Sequence, residues 1–267
     1  MDSLQAVLLG IVQGLTEFLP VSSSGHLVLV PCALGWGEPG LLFDTLVHWG
    51  TLLAVVVYFW ADIWGMAKAW VDSVIRRRID TPQARMAWLI IAATIPAAVI
   101  GYAFSDFFES LFSAPAAVGA FLIVTGTILA ISEFFYPRIT KRTSLRLPDA
   151  LFIGLAQAAA ICPGLSRSGM TISAGIFRGL TREAAARFSF LLSVPIILGA
   201  GAAQILNAVG EPGTTAILPL ALGFTAAVIS GYLAIHFLLG FVRRRKLWPF
   251  AIYCWVVGIA VLLASLL

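Results

Sequence analysis

Glu17, Ser23 and His26 fall within ten residues of one another in "EFLPVSSSGH" (17–26), and Arg167 stands between two serines in "PGLSRSGMTIS" (163–173). Histidine carries protons near neutral pH and can attack phosphorus itself. A serine attacks once a neighbouring base takes its proton, so Ser23 with His26 or Glu17 is a second nucleophile, and water activated by His26 a third. Arg167 offers a planar fork suited to phosphate oxygens. Ser22, Ser24, Ser166, Ser168 and Thr171 add neutral donors, which together favour a ligand with several oxygens, phosphate or diphosphate. Glu17 would repel such a ligand, and the simplest offset is a divalent cation, Mg²⁺, held by the carboxylate, water and substrate phosphates. The residue types leave the choice among His26, Ser23 and water open.

The surroundings of these residues are apolar. The chain has 267 residues, of which 60% are hydrophobic and 11% charged, with a mean hydropathy of +0.97. A soluble domain carries roughly 25% charge, so lipid must be the solvent for most of this surface. The net charge of +4 sits largely in loops, where it sets orientation rather than marking a nucleic-acid partner. Cys32, Cys162 and Cys254 have no metal-ligand spacing.

Six segments are long enough to span: about 43–66, 86–104, 116–136, 186–208, 215–241 and 248–267. The basic connections 68–85, 137–148 and 243–246 belong inside, and the acidic ones, 105–115 and 210–215, outside. Regions 1–42 and 149–185 then begin and end on the same side, each on a different side. Both read as re-entrant hairpins of two half-length apolar runs around a Gly/Pro/Ser-rich tip. The stretches "GIVQGLTEFLPVSSSG" (10–25) and "GLAQAAAICPGLSRSG" (154–169) align without gaps, pairing Gln13 with Gln157, Ser22 with Ser166 and Ser24 with Ser168. Similar sequence in opposite orientation is the pattern of inverted-topology repeats. The fold expected is an all-α polytopic membrane protein: six transmembrane helices plus two re-entrant helical hairpins, in one membrane domain. Repeat one runs to about 136, repeat two covers about 149–267, and a basic cytoplasmic linker, 137–148, joins them.

Irregular backbone at membrane depth is tolerated only inside protein or beside a watery cavity, so the two tips should face each other. Each is followed by a half-helix whose N-terminus offers free N–H groups and partial positive charge, capped by a serine. His48 and His236 lie in spans without polar company and read as packing residues. Asp44 is either a helix N-terminal charge or a cavity-lining residue. Glu133 and Asp62 suit span ends, and the arginine clusters at 76–78 and 243–245 are orientation signals.

"QGLTEFLPVSSSGH" (13–26) and "PGLSRSGMTIS" (163–173) resemble the two signature motifs of bacterial undecaprenyl-diphosphate phosphatases of the bacitracin-resistance type. The likeness continues through "FDTLVHWGTLLAVVVYFW" (43–60), "FSFLLSVPIILGA" (188–200) and "PFAIYCW" (249–255). The resemblance implies hydrolysis of undecaprenyl diphosphate to undecaprenyl phosphate and inorganic phosphate, which recycles the lipid carrier of peptidoglycan synthesis. It implies a divalent cation, Mg²⁺ or Ca²⁺, and an active site open to the outer face of the bacterial plasma membrane, where both termini are also expected. It carries the family's roles onto Gln13, Glu17, Ser23, His26, Ser166, Arg167 and Thr171. Many relatives have glutamate where this chain has Gln13, so metal ligation falls to Glu17. The partners expected are a polyprenyl diphosphate lipid and membrane lipids, no nucleic acid, and a homodimer as an open point. A lipid-phosphate or phosphate transporter would share the anion site and is the alternative.

Overall fold

Several of the apolar runs start as helices at a capping residue or a first-turn proline. The computed structural model describes residues 1–112, 114–138, 141–208 and 216–266. The acidic connection at 210–215 lies outside the described residues. Asp2 caps α1 (Ser3–Phe18) in a capping box with Gln5. Ser22 caps α2 (Ser23–Leu34), and Gly40 precedes α3 (Leu41–Tyr58). α4 (Trp60–Arg76) follows almost at once, then α5 (Pro82–Ala103), started by Thr81 with Pro82 in its first turn. α6 (Ser105–Phe112) is short, and α7 (Pro115–Phe135) is long. The second half holds α8 (Leu147–Ala159), α9 (Arg167–Phe177), α10 (Arg182–Ala208), α11 (Ile217–Arg244) and α12 (Trp248–Ala264). Among the described residues there is no strand, only an isolated bridge between Arg142 and Leu180.

The protein is a multi-pass, all-α membrane protein. α3, α5, α7, α10 and α11 are each long and apolar enough to cross a bilayer. α12, at 17 residues, reaches about 25 Å, just short of the roughly 30 Å hydrocarbon layer. Large apolar side chains face outward along these helices. Ile229, Leu233 and Phe237 on α11 form such an i, i+4 stripe, each more than half exposed.

One expected span is divided. Region 43–66 breaks at Phe59, whose backbone leaves helical geometry at φ −105° and ψ 24°. Phe59 is instead buried against Tyr58 and Phe190. Residues 68–76, read as part of a loop, continue as the last turns of α4, which buries only Met66 and Ser73.

Small residues fix the direction of the hairpins. A Cβ on Gly10 would lie 2.3 Å from the Gly223 carbonyl oxygen, and one on Gly14 would strike Ser230. Gly223 lies against Phe43, and Gly231 against Ala54. α1, α3 and α11 therefore run parallel and start at the same end. α8 runs parallel to α5, with Gly154 against Ala93 and Gly101 against Ile161. It starts beside Arg142 and Arg178, which bind Asp149 at 2.6 and 2.9 Å. Arg142 also pairs backbones with Thr181, next to Glu183, which binds Arg243 at the finish of α11. α1 thus enters from the end where α11 begins, and α8 from the end where it finishes. Their 16 and 13 residues reach about 24 and 20 Å, each too short to cross alone.

Candidate active site

Two helix reversals, one from each end, meet in the middle of the bundle. In the first, α1 ends at Phe18, and Ser22 takes φ +72° so that its hydroxyl accepts from the Gly25 N–H. In the second, Gly164 takes φ +96°, and a Cβ there would sit 2.4 Å from the Val118 carbonyl oxygen. Only glycine suits both the conformation and the space. Ser166 then caps α9 by accepting from the Gly169 N–H at 3.1 Å. Thr125 of α7 clamps this reversal, donating to the Gly164 carbonyl and accepting from the Ser166 N–H. The tips touch directly, since Ser168 Oγ donates to the Leu19 carbonyl at 3.2 Å. Phe18 packs edge-on against Phe190, and both belong to the main hydrophobic core.

Glu17 is the hub. Its carboxylate accepts from the Arg167 guanidinium, from Ser23 Oγ at 2.5 Å and from Gln13 Nε2 at 2.9 Å. Residues 150 positions apart thereby form one ion pair, with side-chain exposures of only 14% for Arg167 and 6% for Glu17. Arg167 also donates to the Ser189 carbonyl at 3.2 Å, which leaves most of its five N–H donors free for another anion. Of the seventeen Lys and Arg residues in the chain, Arg167 alone sits at a hairpin tip.

The other expected residues fall around this hub. Ser22 and Ser24 approach each other at 3.3 Å, as Ser166 and Ser168 do at 3.2 Å, so each tip carries a serine pair at its helix start. Above each pair, the first N–H groups of α2 and α9 are unused by the helix itself. Thr171 is fully buried one turn into α9 and bonds Ser189 Oγ at 2.6 Å, so it stands behind Arg167 rather than beside Glu17. His26 is the residue set apart. Its Nδ1 lies 2.7 Å from the Ser22 carbonyl and its Nε2 2.7 Å from the Tyr253 hydroxyl. Both ring nitrogens are satisfied away from Glu17.

Three residues join the site that the sequence did not single out. Tyr253 of α12 reaches His26 across 227 positions, and no short-range pattern signals such a pairing. Thr125 reaches the second tip in the same way. His48 of α3, read as a packing residue, directs Nε2 toward Glu17 Oε2 at 3.9 Å. A signal existed for it: Asp44 and His48 are an i, i+4 polar pair on one face of an otherwise apolar helix.

A divalent cation can be tested against these atoms. Among the described residues no three His, Cys, Asp or Glu side chains converge as a closed cage. Gln13 Oε1, however, is buried and has no hydrogen-bond partner. An orphaned carbonyl oxygen beside a carboxylate is a hard-oxygen pair, which fits Mg²⁺ or Ca²⁺ when phosphate oxygens and water complete the shell.

The sequence as a whole was compared with known proteins. Residues 6–260 match the family model described as bacitracin resistance protein BacA. A protein of Pelobacter propionicus named undecaprenyl-diphosphatase is 46% identical over 264 residues, covering 98% of this chain and 96% of its own. One of the same name from Methanobrevibacter smithii is 47% identical, with 100% and 99% covered. Another from Rubrobacter xylanophilus is 48% identical, again with 100% and 99% covered. With the family match running nearly end to end and these relatives aligned over nearly their whole length, the chain belongs to the bacitracin resistance protein BacA family.

Proposed function

We propose that this protein hydrolyses undecaprenyl diphosphate to undecaprenyl phosphate and inorganic phosphate where its two hairpin tips meet. That reaction returns the lipid carrier to peptidoglycan and envelope synthesis and confers resistance to bacitracin. One observation carries the assignment of roles: Ser23 Oγ, Glu17 and Arg167 form a single hydrogen-bonded group that joins the two tips. Ser23 is the attacking group already seated against a base, whereas Nε2 of His26 is occupied by Tyr253.

In the first step a bond forms from Ser23 Oγ to the terminal phosphorus. The bond from that phosphorus to the bridging oxygen breaks, and its electron pair leaves with undecaprenyl phosphate. The serine proton passes to Glu17 Oε2. Arg167 turns its free donors to the transferring phosphoryl oxygens, where preorganised charge acts most strongly. The serine pairs and the N-termini of α2 and α9 hold the remaining oxygens. Gln13 and Glu17 are the residues that would hold Mg²⁺ or Ca²⁺, which neutralises charge on the diphosphate. His26, pinned by Ser22 and Tyr253, orients the start of α2.

Both halves, 1–136 and 149–267, contribute to the one pocket, joined through the basic linker 137–148. The basic residues gather where α3 and α11 finish, so we assign that end to the cytoplasm. Both termini and the mouth of the site then belong on the outer face.

The test is phosphate release from undecaprenyl diphosphate by purified protein in detergent. An enzyme releases phosphate there without a membrane, while a transporter of lipid phosphate or phosphate leaves the substrate intact. Glu17→Ala and Arg167→Ala should each slow release by at least about 100-fold, the scale of losing one key electrostatic group. Near-normal release by either variant refutes its assigned role.

A further inference from the structure

We infer that the turn between α11 and α12 is a binding site for an anionic glycerophospholipid. The site is independent of the hydrolysis reading and lies at the end of the molecule assigned above to the cytoplasm.

The turn reads "RRRKLW" (243–248), with four cationic residues in a row. Such a run is ordinarily a solvated face that sets orientation. Two features go further here. The first is that the charges are unequally employed. Arg243 binds Glu183 at 2.7 Å. Arg244, Arg245 and Lys246 pair with no carboxylate among the described residues. Glu133 also reaches this turn, but Arg182 holds it with two bonds and it accepts from the Leu247 N–H. Three positive charges stand together with no counter-ion from the protein.

The second feature is that these three residues line an open cavity. It measures about 550 Å³, within the range of ligand sites, and Phe241, Trp248 and Pro249 complete its wall. Its frame is fixed. Leu247 is fully buried with its N–H on Glu133, and the Arg245 N–H bonds the Phe241 carbonyl at 2.8 Å. Pro249 stiffens the first turn of α12. The backbone bearing the cations is therefore set before a ligand arrives. By contrast, Arg76, Arg77 and Arg78 are simply exposed, and Arg78 pairs with Asp80 at 3.5 Å.

An anion with an apolar body suits this wall better than a soluble one. Each of its two aromatic residues heads an outward apolar strip. From Phe241 the strip runs back along α11 through Phe237, Leu233 and Ile229, and from Trp248 it runs along α12 through Ile252, Val256 and Ile259. All six residues beyond the aromatics are at least half exposed. A molecule with its charge in the cavity can lay acyl chains along these strips. Tryptophan is enriched at headgroup level, and the guanidinium fork matches phosphate oxygens in pairs. Basic pockets at the cytoplasmic ends of membrane helices take phosphate-bearing headgroups by this chemistry.

The experiment titrates the whole protein in detergent with dioleoyl phosphatidylglycerol or dioleoyl phosphatidylcholine and counts bound lipid by native mass spectrometry. Wild type should bind one phosphatidylglycerol at least about ten-fold more tightly than phosphatidylcholine. Arg244→Gln/Arg245→Gln/Lys246→Gln should weaken that binding by at least about ten-fold, at about five-fold for each charge. Arg76→Gln/Arg77→Gln/Arg78→Gln removes the same charge elsewhere and should stay within about two-fold of wild type. Trp248→Ala leaves the charge intact and should weaken binding by at least about three-fold. If the first triple variant aggregates, Arg245→Gln/Lys246→Gln, which leaves α11 whole, replaces it with an expected loss of at least about five-fold. Equal affinity for the two lipids, or equal loss in the two triple variants, would overturn the inference. Displacement of the lipid by an equal concentration of inorganic diphosphate would overturn it too, by showing a site for a soluble anion.

Discussion

The Glu17 and Arg167 pair lets folding and catalysis be separated by a single set of variants. Both side chains are almost enclosed, and each is the principal counter-charge of the other. Removing one partner of such a pair strands the second charge, at a cost of about 3–5 kcal/mol. Removing both strands nothing, so Glu17→Ala/Arg167→Ala should recover most of what either single variant loses. The first measurement is thermal or denaturant unfolding of the four proteins in one detergent. The second adds inorganic diphosphate to Glu17→Ala, in which Arg167 has lost its carboxylate. At ten times its dissociation constant the ligand should return about 1.4 kcal/mol of stability to that variant. It should do nothing for Arg167→Ala. All three variants should nonetheless lose turnover by at least about 100-fold, because the double variant regains stability without regaining charge on the phosphoryl group. A double variant as unstable as the worse single would refute the pairing. Stabilisation of Arg167→Ala by diphosphate would refute the anion role of Arg167.

Ser23→Ala should reduce kcat by at least about 100-fold while leaving KM within a few-fold, since it removes the attacking atom and not the donors that hold the diphosphate. Tyr253→Phe should cost about 1–2 kcal/mol in unfolding measurements by uncapping His26 and should keep turnover within about three-fold. A loss as large as that of His26→Ala would show that the phenol takes part in the chemistry. Gly164→Ala forces a Cβ against the Val118 carbonyl at φ +96°, and should cost at least about 2 kcal/mol and displace Arg167 enough to abolish phosphate release. Glu133→Gln weakens a bidentate bond from Arg182 and a contact with the Leu247 N–H, at a cost of about 3–5 kcal/mol. The folded fraction should keep wild-type kcat, because that lock lies at the far end from the tips.

The hairpins were legible in the sequence because they break a rule that membrane helices otherwise obey. Polar residues, proline and glycine interrupted apolar runs too short to cross, and loop charge forced each run to turn back. Glu17 and Arg167 announced themselves by the cost of placing them there. Other features lacked such a signal. The break at Phe59 depends on an aromatic side chain finding Phe190 across 131 positions (190 minus 59), and hydropathy reads straight through it. His26 looked like a neighbour of Ser23 because three residues separate them, but a helical start turns the ring toward α12, where Tyr253 waits. Thr171 sits one helical turn into α9 and meets Ser189 of α10, a contact that its place in the motif does not signal. Chain distance along a motif therefore located the tips well and the direction of individual side chains poorly.

The ungapped alignment of the two tips also sets Ser23 opposite Arg167, Glu17 opposite Ile161 and His26 opposite Met170. A framework with approximate twofold symmetry could have carried the same machinery twice, once for each membrane leaflet. Here the duplicate has been divided into unlike shares, the carboxylate of Glu17 and the hydroxyl of Ser23 on one side, the cation of Arg167 on the other. A half-protein made of either share would carry only one sign of charge at its tip. Two copies of one share could not replace the missing half, so the hydrogen-bonded group at the tips needs both unlike halves.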